Sequence, residues 1–102
     1  MRISVALCTY NGETFIFDQL QSIINQIYKV DEIIICDDCS QDNTHNVIYQ
    51  FQEKYPYLIR LCINETNIGV NKNFEKALSL SSGDYIFFCD QDDIWKKQKT
   101  KK

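Results

Sequence analysis

Apolar and polar positions alternate along the chain in a pattern that predicts its elements. Residues 3–8 form a short β-branched apolar run that ends at the turn signal Thr9-Tyr10-Asn11-Gly12. Ile16, Leu20, Ile23, Ile24 and Ile27 then recur at spacings of three and four, which marks one face of a helix. Residues 32–36 return to the strand pattern with consecutive isoleucines, and a run apolar at every position predicts a strand covered on both faces, as in a parallel sheet. Asp42 or Asn43 can cap a second helix with Val47, Ile48, Phe51 and Tyr55 facing inward. Pro56 stops it, and residues 57–63 read as a third strand. After a loop at 64–69, a third helix directs Phe74, Ala77 and Leu78 inward, Gly83 supplies its C-terminal stop, and residues 84–89 form a fourth strand.

Strand and helix alternate with short links, no repeat and no linker. That order predicts an α/β fold: a three-layer α/β/α domain around a mainly parallel sheet with right-handed crossovers. At 102 residues, 44% apolar and 25% charged, the chain has room for one small globular domain over residues 1–102. Net charge is −3, but five of the eleven basic residues fall at 96, 97, 99, 101 and 102, so the body before them sets six basic against fourteen acidic residues. An acidic body excludes nucleic acid as the main partner, since phosphates need a basic face. The five cysteines are an odd number, and Cys8, Cys36, Cys62 and Cys89 lie in or at the ends of apolar runs, where a free thiol packs as a small hydrophobe. With no long apolar span or leader pattern, this composition predicts a cytoplasmic protein, with the cytoplasmic face of a membrane a second possibility for a longer form.

The chemistry gathers after the strands: Thr9-Tyr10-Asn11 follows the first, Asp37-Asp38 the second, residues 64–67 the third and Asp90-Gln91-Asp92-Asp93 the fourth. Parallel strands bring all four ends to one edge of the sheet, where open α/β folds bind ligands. Carboxylates at 37, 38, 90, 92 and 93 would repel one another there, and a divalent cation is the economical partner. Oxygen ligands suit Mg2+ or Mn2+. A plainer reading makes Asp42 and Asp93 caps or turn-formers.

The blocks "VALCTYNG", "IIICDDCSQDNT", "NIGVNKNFEKAL" and "SGDYIFFCDQDDIW", in that order, resemble the N-terminal, nucleotide-sugar-binding half of family 2 inverting glycosyltransferases of the GT-A fold, in the bacterial surface-polysaccharide, rhamnosyltransferase-like branch. The resemblance covers nearly the whole chain. It implies transfer of a sugar from a UDP, dTDP or GDP donor to an acceptor hydroxyl on a glycan or lipid-linked molecule, with inversion. By the same resemblance, Thr9 and Tyr10 cradle the nucleotide, with Tyr10 near the base, and Asp38 accepts a hydrogen bond from the base. Asp92 resembles the direct metal ligand, and Asp90 the residue that contacts ribose and the metal's water shell. Asn11, Asp37, Asn67, Gly69 and Gln91 join the nucleotide side. Lys72 lies near a position that is often basic in the family, and is equally readable as a solvated helix lysine.

The sequence departs from the family in two places. Lys96 and Lys97 stand where a proline usually follows Trp95, and only ten residues follow Asp92. The general base, which the family carries farther along, has no counterpart here. The expectation is therefore a donor-binding part that binds its nucleotide weakly and transfers nothing alone, with self-association through the edge of the fourth strand. Three other classes fit the sequence less well. Cys36-Asp37-Asp38-Cys39 fits a redox or zinc pair, but a structural zinc site lacks a second pair of ligands. A phosphoryl-accepting receiver domain would carry its acidic pair after the first strand. A dinucleotide-binding fold would need a glycine-rich turn that three distant glycines do not make. A non-catalytic nucleotide-binding or interaction module is the remaining alternative.

Overall fold

A computed structural model describes residues 2–26 and 29–89. Four strands, β1 (Ile3–Thr9), β2 (Glu32–Asp37), β3 (Ile59–Ile63) and β4 (Tyr85–Cys89), form one sheet in the order β3-β2-β1-β4, and every pairing is parallel. Three helices connect them: α1 (Ile16–Ile24), α2 (Thr44–Lys54) and α3 (Val70–Leu80). The predicted α/β class and strand count hold, with strand ends displaced by one or two residues.

The order of the strands dictates where the helices lie. From β1 to β2 to β3 the chain steps in one direction across the sheet, then returns past β1 to lay down β4. A right-handed crossover that reverses direction must place its helix on the opposite face. Accordingly α1 and α2 share one face, where Ile16, Leu20, Ile23, Ile48 and Phe51 pack on Val5, Leu7, Ile33 and Ile35. On the other face Ala77 of α3 packs on Ala6, Ile34 and Cys36. β2 lies between two strands and two helix layers, which is why its isoleucines are all fully buried. Reversal also puts a topological switch point between β1 and β4, whose carboxyl ends are Thr9 and Cys89.

Two local expectations are corrected. Leu78 is 44% exposed rather than inward, and the buried positions of α3 are Asn73 and Ala77. The inward stripe is rotated because a polar residue, Asn73, occupies the place an apolar pattern would assign to its neighbour. Gly83 does not stop α3, which ends at Leu80 with Ser81 extended. Its lack of a side chain serves close approach: a Cβ there would lie 2.5 Å from Ser4 Oγ, 2.8 Å from Ser4 N and 2.9 Å from Arg2 O. Finally, Ile27 of the predicted α1 face lies outside the described residues.

Among the described residues, no helix is long and apolar enough to cross a membrane. All five cysteines are free thiols. Burial, with the Cys62 thiol beside it, pushes Cys36 up to about 11, so it stays protonated and unreactive near neutral pH. No group of three or more His, Cys, Asp or Glu side chains among the described residues is placed to hold a metal.

Candidate functional site

The carboxyl ends of β1 and β2 meet around Asp37. This side chain is 0% exposed. Its Oδ1 accepts the Thr9 hydroxyl at 2.5 Å and the Ser40 hydroxyl at 2.6 Å, while Oδ2 accepts the Ser40 backbone N–H at 2.8 Å and pairs with His45 Nε2 at 2.6 Å. Thr9 thus turns its hydroxyl inward to Asp37 and supports the neighbouring acid through its backbone, because its carbonyl accepts the Asp38 N–H at 2.9 Å.

Next along the chain, Asp38 is 7% exposed and ties β2 to the loop that precedes α3. Oδ1 accepts the Ile68 N–H at 2.8 Å and the Asn64 amide at 3.0 Å, and Oδ2 accepts the Gly69 N–H at 3.1 Å. Asn67 donates its amide to the Asp38 carbonyl. Gly69 caps α3 with φ +92°, a conformation that L side chains rarely adopt, so the residue type follows from the backbone.

The loops after β1 and β2 are stitched to each other. Asn11 N–H donates to Ser40 Oγ at 2.8 Å, its side-chain oxygen accepts the Gln41 N–H at 2.8 Å, and Gly12 N–H donates to Thr44 Oγ1 at 2.9 Å. Asp42 accepts the Thr44 and Glu13 N–H groups, so it is the turn-former of the plainer reading. Asn11 and Cys39 hold positive φ, 49° and 67°, and such conformations in non-glycine residues concentrate at binding loops. Tyr10, 45% exposed, and the exposed Lys72 complete the described part of the predicted set.

Thr9, Asn11, Asp37, Asp38, Asn67 and Gly69 are therefore joined by hydrogen bonds at one sheet edge. Asp90, Gln91, Asp92 and Asp93 lie outside the described residues; they follow Cys89, the last residue of β4. The sequence pattern places Asn64 in the cluster after the third strand but does not single out Ser40, Asn73 or Lys76. Asn73 carried a usable signal, being a polar residue four positions before Ala77 on a helix whose inward stripe needs both.

Electrostatics narrows the argument for a cation. Burial pushes Asp37 up, but the Ser40 and Thr9 hydroxyls, the Ser40 N–H and His45 outweigh it and hold the carboxyl below the ordinary aspartate range. Asp38 behaves likewise, with burial outweighed by the Ile68 N–H, the Asn64 amide and the Gly69 N–H. Neither needs a metal to remain an anion, so the demand for one rests on the acids after β4. Because the folded values lie below the unfolded ones, the unfolded chain binds more protons at acid pH. These groups stabilise fully above roughly pH 4, and that stability is lost as pH falls through their folded values. Urea midpoints are expected to be level from about pH 7 to 5 and to drop steeply below about pH 4; a flat profile to about pH 2.5 would contradict these assignments.

An all-parallel open sheet with polar side chains gathered beyond its carboxyl ends, beside a switch point, defines an α/β domain that takes its ligand at that edge. The chain belongs to glycosyl transferase family 2, whose model matches residues 4–102. It is 46% identical over 99 residues to the dTDP-rhamnosyl transferase RfbG of Shigella flexneri, covering 93% of this chain and 34% of that protein. Among solved structures it is similar to S. aureus TarS 1–349 in complex with UDP-GlcNAc, with TM-score 0.89 and 32% identity, covering 99% of this chain and 29% of that one. It is also similar to the mannosyltransferase PcManGT from Pyrobaculum calidifontis in complex with GDP-Man and Mn2+, with TM-score 0.87 and 26% identity over 95% of this chain and 29% of that one. The fold is that of the GT-A glycosyltransferases. The chain spans about a third of the length of the curated relatives it matches.

Proposed function

We propose that this chain supplies the donor- and metal-binding part of an inverting glycosyltransferase of bacterial surface-polysaccharide synthesis, acting in the cytoplasm or at its membrane face. The observation that carries the reading is the convergence of the β1, β2 and β3 loops on one edge, beside the switch point from which β4 leads directly into Asp90-Gln91-Asp92. The donor is a nucleoside-diphosphate sugar of the UDP, dTDP or GDP type. Its acceptor is a hydroxyl of a glycan or lipid-linked molecule, and the general base is assigned to no residue of this chain.

Within this proposal each residue has a physical task. Tyr10 offers an exposed ring to the base. Asp38 Oδ2 takes one N–H in the structure, and a carboxylate oxygen has two lone pairs, so it can accept the imide N–H of a pyrimidine or the comparable edge of guanine. Asp37 orders the two loops from beneath, with Asn11 and Thr9. Asn67 and Gly69 shape the loop over Asp38, and Lys72 adds a positive charge on the first turns of α3.

Asp90 and Asp92 are oxygen donors in an Asp-x-Asp spacing. With Asp37 and Asp38 engaged internally, they are the carboxylates that fit Mn2+ or Mg2+, which keep few protein ligands besides phosphate oxygens and water. Bound there, the metal would stabilise negative charge on the departing diphosphate. Gln91 lies between them on the nucleotide side.

Calorimetric titration with UDP, dTDP and GDP in the presence of Mn2+ tests the reading. At least one nucleotide is expected to bind, and Asp38→Ala to weaken it about tenfold or more through loss of a charge-assisted hydrogen bond. Failure of all three to bind, or an undiminished Asp38→Ala, would contradict it. Self-association through β4 belongs to the same proposal: its exposed Tyr85 and Phe88 flank an edge that pairs, among the described residues, with β1 alone. Sedimentation is expected to show weight-average mass rising with concentration, and a constant monomer mass would remove that part.

A further inference from the structure

Lys76 lies outside every group assigned so far, yet it begins a hydrogen-bond relay that ends on the proposed base-binding acid. Its Nζ donates to Asn64 Oδ1 at 2.6 Å. Asn64 Nδ2 then donates to Asp38 Oδ1 at 3.0 Å and to Asn73 Oδ1 at 2.9 Å, and Asn73 Nδ2 donates to the Cys36 carbonyl at 2.8 Å. Asn64 and Asn73 are both buried, in the seam between α3 and the ends of β2 and β3.

The direction of this relay is set by its two ends. A side-chain amide is nearly symmetric in shape, so packing alone does not decide which way it faces. An ammonium has only protons to give, and a backbone carbonyl only lone pairs. Lys76 therefore forces the Asn64 oxygen toward itself and the Asn64 NH2 toward Asp38. The Cys36 carbonyl orients Asn73 the same way from the other end. With the Asn64 amide reversed, its oxygen would face both the Asp38 carboxylate and the Asn73 oxygen, a contact between acceptors in a buried site.

We propose that Lys76 is a positioning residue for nucleotide binding: by fixing the Asn64 amide it commits Asp38 Oδ1 to the protein and keeps Oδ2 as the oxygen that accepts from the base. This rests on the reading of Asp38 as the base acceptor. The contacts fit the division, since Oδ1 takes the Ile68 N–H and the Asn64 amide, whereas Oδ2 takes the Gly69 N–H. A cation at the far end of the relay also polarises the Asn64 N–H groups toward the carboxylate.

Lys76→Met removes the donor and keeps the aliphatic stem; Lys76→Arg keeps a group that can only donate. In the full 102-residue chain with Mn2+, Lys76→Met is expected to weaken binding of the nucleotide that the wild type takes by about tenfold, and Lys76→Arg to restore most of it. The effect should vanish in an Asp38→Ala background, because the relay acts through that carboxylate. An equal loss in that background would mean that Lys76 touches the nucleotide directly, and would overturn the proposal.

The Asn64 side-chain amide signals in a nitrogen–proton correlation spectrum give a readout without ligand. They are expected to shift in Lys76→Met and hold in Lys76→Arg, with urea midpoints confirming that both variants fold. An unmoved Asn64 signal in folded Lys76→Met overturns the inference whether or not nucleotide binds. Absent wild-type binding with the expected amide shift would instead count against the function proposed above.

Discussion

Asp37→Ala is expected to lower folding stability by about 3–5 kcal/mol, the cost of removing one partner from a buried, charge-assisted cluster. Asp37 is fully buried and receives two hydroxyls, a backbone N–H and the His45 ring. Alanine leaves the Thr9 hydroxyl and the Ser40 N–H in a dry site without their acceptor, and each buried unsatisfied group costs about 1–3 kcal/mol. It also unfastens the loop after β1 from the loop after β2, because Ser40 carries the Asn11 contact as well. A domain of this size has only about 5–15 kcal/mol in total, so the variant should unfold at a far lower urea concentration or fail to fold. Asp37→Asn should lose part of the same stability, since the charge is gone and an amide NH2 beside the Thr9 and Ser40 hydroxyls turns them from donors into acceptors. A loss below about 1 kcal/mol would show that these bonds are not formed in solution.

The contrast with Asp38 gives this expectation its functional weight. The two acids are adjacent in sequence and look alike in composition. Their surroundings separate them: Asp37 is engaged on both oxygens from beneath the loops, whereas Asp38 keeps an oxygen with a single donor at the sheet edge. Variants of Asp37 should act mainly through stability, and variants of Asp38 mainly through ligand binding.

Much of the fold was legible because it depends on periodicity. The consecutive isoleucines of β2 announced a strand buried on both faces, and the three-and-four spacing of Ile16, Leu20, Ile23 and Ile24 announced the inner face of α1. The edge at which polar groups collect followed from parallel strands alone. What escaped depends on contacts between residues far apart in the chain. Asn73 reaches the carbonyl of Cys36, and Asp38 reaches Asn64, Ile68 and Gly69, and nothing in residue type announces such pairs. An apolar residue is the usual occupant of a buried helical position, which points Leu78 inward; here a hydrogen-bonded asparagine, Asn73, occupies it. A glycine after an apolar stripe predicts a helix stop, but the requirement for Gly83 comes from the closeness of Ser4 on a strand laid down at the other end of the chain. The expected repulsion among five acids also proved too simple, because neighbouring donors satisfy Asp37 and Asp38.

The second large effect concerns the acids after β4. Asp92→Ala removes the carboxylate proposed to hold the metal directly. Loss of even an outer partner of a metal site typically costs 10- to 100-fold in affinity, so loss of the ligand itself should cost on the order of 100-fold or more. An unchanged urea midpoint separates this effect from that of Asp37→Ala.

Calorimetry of UDP, dTDP and GDP binding, with and without Mn2+, on the chain and on Asp92→Ala, therefore tests the central claim most directly. The expected result is nucleotide binding that requires the metal and disappears in Asp92→Ala. Binding that is equally strong without metal, or equally strong in the variant, would contradict the assignment of Asp90-Gln91-Asp92 as the metal and diphosphate site.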